Sequence, residues 1–107
     1  MDLSQALATF LDESRDLLAQ MEEILLRAET SDLAPEDMHA LFRCAHTIKG
    51  SAGLFGLDVV VRFTHGVENV LDRLRNGEIV FTDALINLLL ESQDHIARLV
   101  HAVAASD

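Results

Sequence analysis

Apolar residues along this chain recur at intervals of three and four, and polar segments cut the pattern into four pieces. That spacing gathers them on one face of a 3.6-residue helix rather than on alternate faces of a strand. The first piece predicts a helix over about residues 3–28, with Leu7, Phe10, Leu11, Leu17, Leu18, Met21, Ile24, Leu25 and Ala28 on its inner side. A polar connection, Glu29-Thr30-Ser31-Asp32-Leu33-Ala34, follows. Pro35 suits the first turn of a second helix, where its missing N–H leaves nothing unsatisfied. Glu36 and Asp37 then put negative charge at the positive end of the helix dipole. This helix is expected over about residues 35–55, with Met38, Leu41, Ala45, Ile48, Ala52 and Phe55 as its stripe and Gly56 as its stop.

A third helix is expected over about residues 57–75, its stripe Val60, Phe63, Val67, Val70, Leu71 and Leu74, ended by Asn76-Gly77. Glu78-Ile79-Val80-Phe81 is too short to matter as a strand, and Ile79 and Phe81 are placed to close one end of a bundle. Thr82 caps a fourth helix over about residues 82–104, with Leu85, Leu88, Leu89, Ile96, Leu99 and Val103 inward, before a polar Ser106-Asp107. Four helices on short links predict an all-α, antiparallel up-down four-helix bundle.

Composition narrows the picture. The 107 residues suit one domain, 1–107, and the 50% apolar content suffices for a core without staples. A net charge of −10 argues against a nucleic-acid surface. No basic amphipathic stretch suggests membrane docking, and no apolar run approaches the ~20 residues of a spanning helix. Met1-Asp2-Leu3-Ser4 lacks the basic and apolar regions of a signal peptide. Cys44 is the only cysteine, so no disulfide forms within the chain. A cytoplasmic protein is expected. With no adjacent base evident, Cys44 reads as a small, partly buried residue rather than a nucleophile.

The candidate chemistry lies in His46-Thr47-Ile48-Lys49-Gly50-Ser51-Ala52-Gly53-Leu54-Phe55-Gly56. His46, Lys49, Gly50 and Gly53 fall at i, i+3, i+4 and i+7 and share a face that is not the apolar one. Each mid-helix glycine costs about 1 kcal/mol relative to alanine. Two of them beside a histidine and the chain's only lysine suggest a surface kept bare for close approach. A histidine there, without metal partners, suits nucleophilic attack on phosphorus. A carboxylate accepting from Nδ1–H would leave Nε2 free to attack and would stabilise the positive ring that develops. The third helix carries Val61, His65, Glu68 and Asp72 on its outer face, so Glu68 or His65 can lie beside His46 if the two helices are neighbours. Lys49, and Arg43 at longer reach, would neutralise phosphoryl oxygens.

Plainer readings exist for each residue. A helix histidine is ordinarily a surface residue, and His39, His95 and His101 are read as structural or exposed. Lys49 serves solubility in the plain reading, Gly53 close helix packing, and Glu68 and His65 a solvated face. For His46 the plain reading fails, because a lysine and two glycines at those spacings have no packing explanation.

These residues carry a resemblance. The run from His46 to Gly56, then Thr64-His65-Gly66-Val67-Glu68-Asn69-Val70-Leu71-Asp72, then Gly77-Glu78, resembles the histidine-containing phosphotransfer domains, specifically the N-terminal domain of the CheA chemotaxis kinases. The His-x-x-Lys-Gly core is shared by phosphotransfer domains in general. The Leu-Phe-Gly extension and the His-x-x-Glu-Asn segment point to the chemotaxis branch. The resemblance implies that His46 is phosphorylated at Nε2 by a separate ATP-binding kinase domain and passes the group to an aspartate of a response-regulator receiver domain. It makes Glu68 the partner of His46 Nδ1, sets Lys49 and His65 beside the phosphoryl site, and makes Gly50 and Gly53 the docking surface. ATP and Mg²⁺ would come from partner domains, with no cofactor in this one. Such a chain is a phosphoryl carrier, not an autonomous enzyme, and it has no phosphate-cradling glycine loop. Domains of this branch often continue into a fifth helix, and this chain stops after four. Two competing readings are a zinc site built from His46, His65 and Glu68, and a helical interaction domain without chemistry. Against the first, bundle metal sites point inward, whereas this set lies off the core stripes.

Overall fold

Several helix ends fall where a side chain or a glycine satisfies free backbone groups. The computed structural model describes residues 2–105, in which the helices are α1 (Leu3–Ala28), α2 (Pro35–Leu54), α3 (Asp58–Arg75) and α4 (Asp83–Ala105). No strand occurs among the described residues. The polar end Ser106-Asp107 lies outside them.

Asp2 caps α1 by accepting from the Gln5 backbone N–H, and the Gln5 side chain accepts in return from the Asp2 N–H. At α2, Pro35 occupies the first turn as expected. The Asp37 carboxylate accepts from the Ala34 N–H and also meets Arg27 at 3.3 Å, which ties the end of α1 to the start of α2. Gly56 ends α2 with φ 67°: Leu57 N–H reaches Ala52 O and Gly56 N–H reaches Gly53 O. Gly77, φ 75°, ends α3 in the same way through Glu78 N–H to Arg73 O and its own N–H to Leu74 O. Both are left-handed helix ends, which favour glycine. Thr82 Oγ1 accepts from Leu85 N–H and caps α4.

Links this short force successive helices to reverse. Each packs on its chain neighbours and α4 closes the ring against α1, in a body 43 Å long and 21 Å across. The core holds Phe10, Leu18, Met21, Leu25, Leu41, Ile48, Val60, Leu71, Ile86 and Ile96. Ile79 and Phe81 pack against it at one end, as expected, and Phe10 meets Phe55 at 5.5 Å between ring centroids towards the other. No helix among the described residues is long and apolar enough to cross a membrane.

The inner face of α4 departs from expectation. The buried residues are Ile86, Leu89, Gln93, Ile96 and Val100, while Leu88 is 54% exposed and Leu85, Leu99 and Val103 are half-buried. The true stripe is rotated by about one residue. It was hidden because its middle member is polar: Gln93 is buried and its side-chain amide donates to the Leu18 carbonyl on α1 at 3.3 Å. Urea denaturation tests the rotation. Ile86→Ala should cost about 2–5 kcal/mol. Leu88→Ala should cost less than about 1 kcal/mol, as a residue still largely in water. Equal losses would contradict the assignment.

Candidate functional site

Helices α2 and α3 bring three chemical groups to one point of their seam. His46, on the outer flank of α2, has a side chain 60% exposed. Its Nδ1 lies 3.2 Å from Oε2 of Glu68 on α3. Lys49, one turn further along α2, places its Nζ 3.0 Å from Glu68 Oε1 and 2.9 Å from Oε2. The open choice between Glu68 and His65 as the neighbour of His46 therefore falls to Glu68.

One expectation needs correcting. Glu68 was placed on the outer face of α3, yet only 8% of it is exposed, because it flanks the buried Val67 and turns into the seam with α2. His65 is exposed and makes no side-chain hydrogen bond or ion pair among the described residues. Lys49 is half-buried and engaged with Glu68 rather than extended into solvent. Arg43 is exposed and forms no ion pair among the described residues. No three His, Cys, Asp or Glu side chains among them are grouped as metal ligands would be, so the triad of His46, His65 and Glu68 is not formed.

The electrostatics fix the tautomer. Burial pushes the Glu68 pKa up, but hydrogen bonds from Lys49 and His46, with the charges of both, outweigh it and hold the carboxyl below its ordinary value. An ionised carboxylate only accepts, so Nδ1 of His46 donates to it, and in the neutral ring that tautomer leaves the lone pair on Nε2. Burial likewise raises the Cys44 thiol, against the opposing charge of Arg43, which fits an unreactive core residue.

Access to that lone pair is asymmetric. Helical side chains lean towards the N-terminus, so His46 leans back over the preceding turn. There its ring stacks on Phe42, with centroids 5.7 Å apart and planes at 11°. A side chain at position 50 would lean onto His46 from the other side, and Gly50 has none. Both Gly50 and Gly53 are exposed, and a Cβ built on either meets nothing within 4 Å. Close helix packing therefore does not explain Gly53. Phe42 went unrecognised as a site residue because it reads as one more apolar position. Its contact with His46, at i−4, was nonetheless visible in the helical spacing. Of the other histidines, His39 and His101 are exposed, and His95 packs against Phe63 at 4.5 Å.

Fold and site together define a helical bundle that displays one exposed imidazole, held at Nδ1 by a buried carboxylate, beside a bare strip of helix. The chain belongs to the Hpt domain family, which it matches over residues 5–106. It is 41% identical over 107 residues to the chemotaxis protein CheA of Salmonella typhimurium, covering 100% of this chain and 16% of that protein. It is 37% identical over 103 residues to CheA of Bacillus subtilis, covering 96% of this chain and 15% of the relative. The chain thus spans about a sixth of the length of these relatives. Among solved structures, the CheA phosphotransferase domain from Thermotoga maritima superposes with TM-score 0.88 at 32% identity, covering 97% of this chain and 99% of that one. A phosphorylated domain of CheA3 in complex with CheY6 from R. sphaeroides superposes with TM-score 0.91 at 27% identity, covering 97% of this chain and 81% of that one.

The lowered Glu68 pKa gives a signed pH dependence. Its stabilisation is fully present above the ordinary glutamate value of 4.5 and is lost as pH falls through the lowered folded value. Comparing His46→Gln with His46→Gln/Glu68→Gln removes the histidine's own protonation from the difference. The stability gap by denaturant titration should be on the order of 1 kcal/mol near neutrality. It should shrink only below pH 4.5. A gap that widens on acidification has the wrong sign and overturns the charge assignment.

Proposed function

We propose that this chain is the phosphotransfer module of a chemotaxis-type two-component system, acting in the cytoplasm. His46 accepts a phosphoryl group from ATP bound to a kinase domain and passes it to an aspartate of a response-regulator receiver domain. One observation carries the reading: buried Glu68 engages Nδ1 of the exposed His46 ring, which leaves the Nε2 of the neutral imidazole to carry the lone pair, beside uncovered glycines. The similarity to CheA proteins, and to a phosphorylated CheA3 domain complexed with CheY6, supports it.

In the first transfer, Nε2 attacks the γ-phosphorus. The Nε2–P bond forms, the P–O bond to ADP breaks, and ADP leaves with the electron pair. The ring becomes positive, and Glu68, already on Nδ1–H, stabilises that charge without moving. In the second transfer, an aspartate oxygen attacks phosphorus, the N–P bond breaks and Nε2 recovers its lone pair. ATP, Mg²⁺ and the acidic receiver pocket come from the partners. Lys49 holds the carboxylate, and with three donors it keeps a hydrogen to offer a phosphoryl oxygen. Arg43 can approach the same oxygens from solvent.

Incubation with a CheA-type kinase catalytic domain and radiolabelled ATP tests the assignment. Wild-type chain should acquire acid-labile label. His46→Gln should fold and take none, and Glu68→Ala should label about 10²-fold more slowly. Label retained and transferred by His46→Gln would falsify the role of His46.

The bare face makes a second prediction. Because a side chain at position 53 meets open space, Gly53→Leu should raise stability by up to about 1 kcal/mol through helix propensity. The same bulk should hold a receiver domain away from Nε2 and slow transfer by an order of magnitude or more, since in-line transfer needs near contact. Thermal unfolding run beside the transfer rate checks both. Lower stability with unchanged transfer assigns Gly53 to the bundle instead.

A further inference from the structure

A column of side chains crosses the α2–α3 seam on the closed side of His46. Asp72 Oδ1 accepts from Arg75 Nε at 2.8 Å. The Arg75 guanidinium carbon sits 3.6 Å from the centre of the Phe42 ring. Phe42 in turn stacks on the His46 imidazole. Phe42, Asp72 and Arg75 are each only partly buried, whereas Leu41, Cys44 and Ala45 beside Phe42 are fully inside. Phe42 packs only against the edge of the core, with part of its ring left to the column.

We infer that Phe42, braced by Arg75 and Asp72, is a positioning residue for phosphoryl transfer at His46. This rests on the phosphotransfer reading and adds to it the group that sets the ring's direction. Glu68 holds the imidazole at a single atom, 3.2 Å away, about which the ring can still pivot. Contact with a second plane removes that freedom. It fixes the plane of the ring, and with Nδ1 held by Glu68 the direction of Nε2 within that plane is set as well. The brace matters because Phe42 itself stands at the solvent edge, with a rotamer to hold. The guanidinium over its face holds it, as cations favour aromatic faces. Asp72 does two things: it locks the guanidinium in place, and it balances a positive charge that would otherwise oppose the positive ring formed as Nε2 bonds to phosphorus. The bond changes are those of the first transfer, and the column exchanges no proton.

A positioning role and a docking role separate kinetically. A misdirected imidazole lowers kcat for phosphorylation by the kinase domain and leaves KM for the chain alone. Lost docking surface raises KM. Wild type, Phe42→Leu, Phe42→Tyr and Arg75→Gln are compared by circular dichroism melting, by the three-bond couplings that report χ1 of His46, and by phosphorylation kinetics with ATP and the kinase catalytic domain. Phe42→Leu should remain folded, show averaged χ1 couplings and lose about ten-fold in kcat with KM unchanged, since small misplacements of a reacting group are costly. Phe42→Tyr, which keeps the aromatic face, should restore both. Arg75→Gln, remote from the reacting nitrogen, should move both readouts in the same direction by a smaller factor, and it decides the matter if Phe42→Leu does not fold. Unchanged couplings and kcat in Phe42→Leu overturn the inference, as does a KM effect alone or failure of Phe42→Tyr to rescue. Wild-type chain that takes no label overturns the phosphotransfer reading and this one together. Labelled wild type with an unaffected Phe42→Leu overturns this one only.

Discussion

A single carboxylate, buried between two helices, sets the chemistry of this bundle. Glu68 is removed from water, which by itself would favour its neutral form. Lys49 and His46 reverse that preference, and the carboxyl stays ionised. Everything else at the site follows from this charge. An ionised acceptor dictates that the histidine donates from Nδ1, which in the neutral ring leaves the lone pair on Nε2. The same contact joins α2 to α3, so the group that sets the tautomer also sets where the imidazole sits relative to the third helix. Buried ion pairs are poor sources of net stability. Here the ion pair fixes one protonation pattern on an otherwise exposed histidine.

Along α2 the site has two unequal sides, and the inequality is a property of helices. Side chains lean towards the N-terminus, so each residue shields the turn before it. His46 therefore rests on Phe42, and a side chain at position 50 would in turn lean over His46. Leaving that position as glycine opens one side of the ring while Phe42 closes the other. The glycines are costly in helix propensity and are not repaid by packing, since a Cβ at either would meet open space. Local rules broken without structural return mark surfaces that answer to something outside the chain.

The helix ends were legible because their signals are local: Pro35, Thr82, Gly56 and Gly77 each act within a turn of themselves, and each acts as expected. Burial was less legible wherever a polar residue lay inside. Ser14, Thr64, Glu68 and Gln93 are all buried, and apolar periodicity skips every one of them. In leucine-rich α4 that omission rotated the stripe, since Leu85, Leu88 and Leu89 fit either rotation when Gln93 is left out. For Glu68 it misplaced the residue from the seam to the outer face while still naming it as the partner of His46. Of the aromatic brace only the i, i+4 spacing of Phe42 and His46 was legible. Nothing in a sequence separates a phenylalanine that fills a core from one that stacks on a histidine, and Arg75 reaches Phe42 only through the tertiary pairing of α2 with α3.

The site is also notable for how little positive charge is free near Nε2. Lys49 is bound to Glu68, Arg75 to Asp72, and the nearest unpaired cation on α2 among the described residues is the exposed Arg43. In a chain of net charge −10 this is not a phosphate-binding pocket. For a proposed carrier, that scarcity is an advantage. A ring of cations would stabilise the phosphorylated histidine more than the transition states on either side of it, and binding of that kind does not accelerate transfer. Glu68 acts on the ring rather than on the phosphoryl oxygens: in the proposed carrier its charge balances the positive imidazole that forms as phosphorus is gained and that persists until it is lost. In the proposed transfers the bundle would thus supply the orientation and the charge that both share, and leave to its partners the cations that each needs only once.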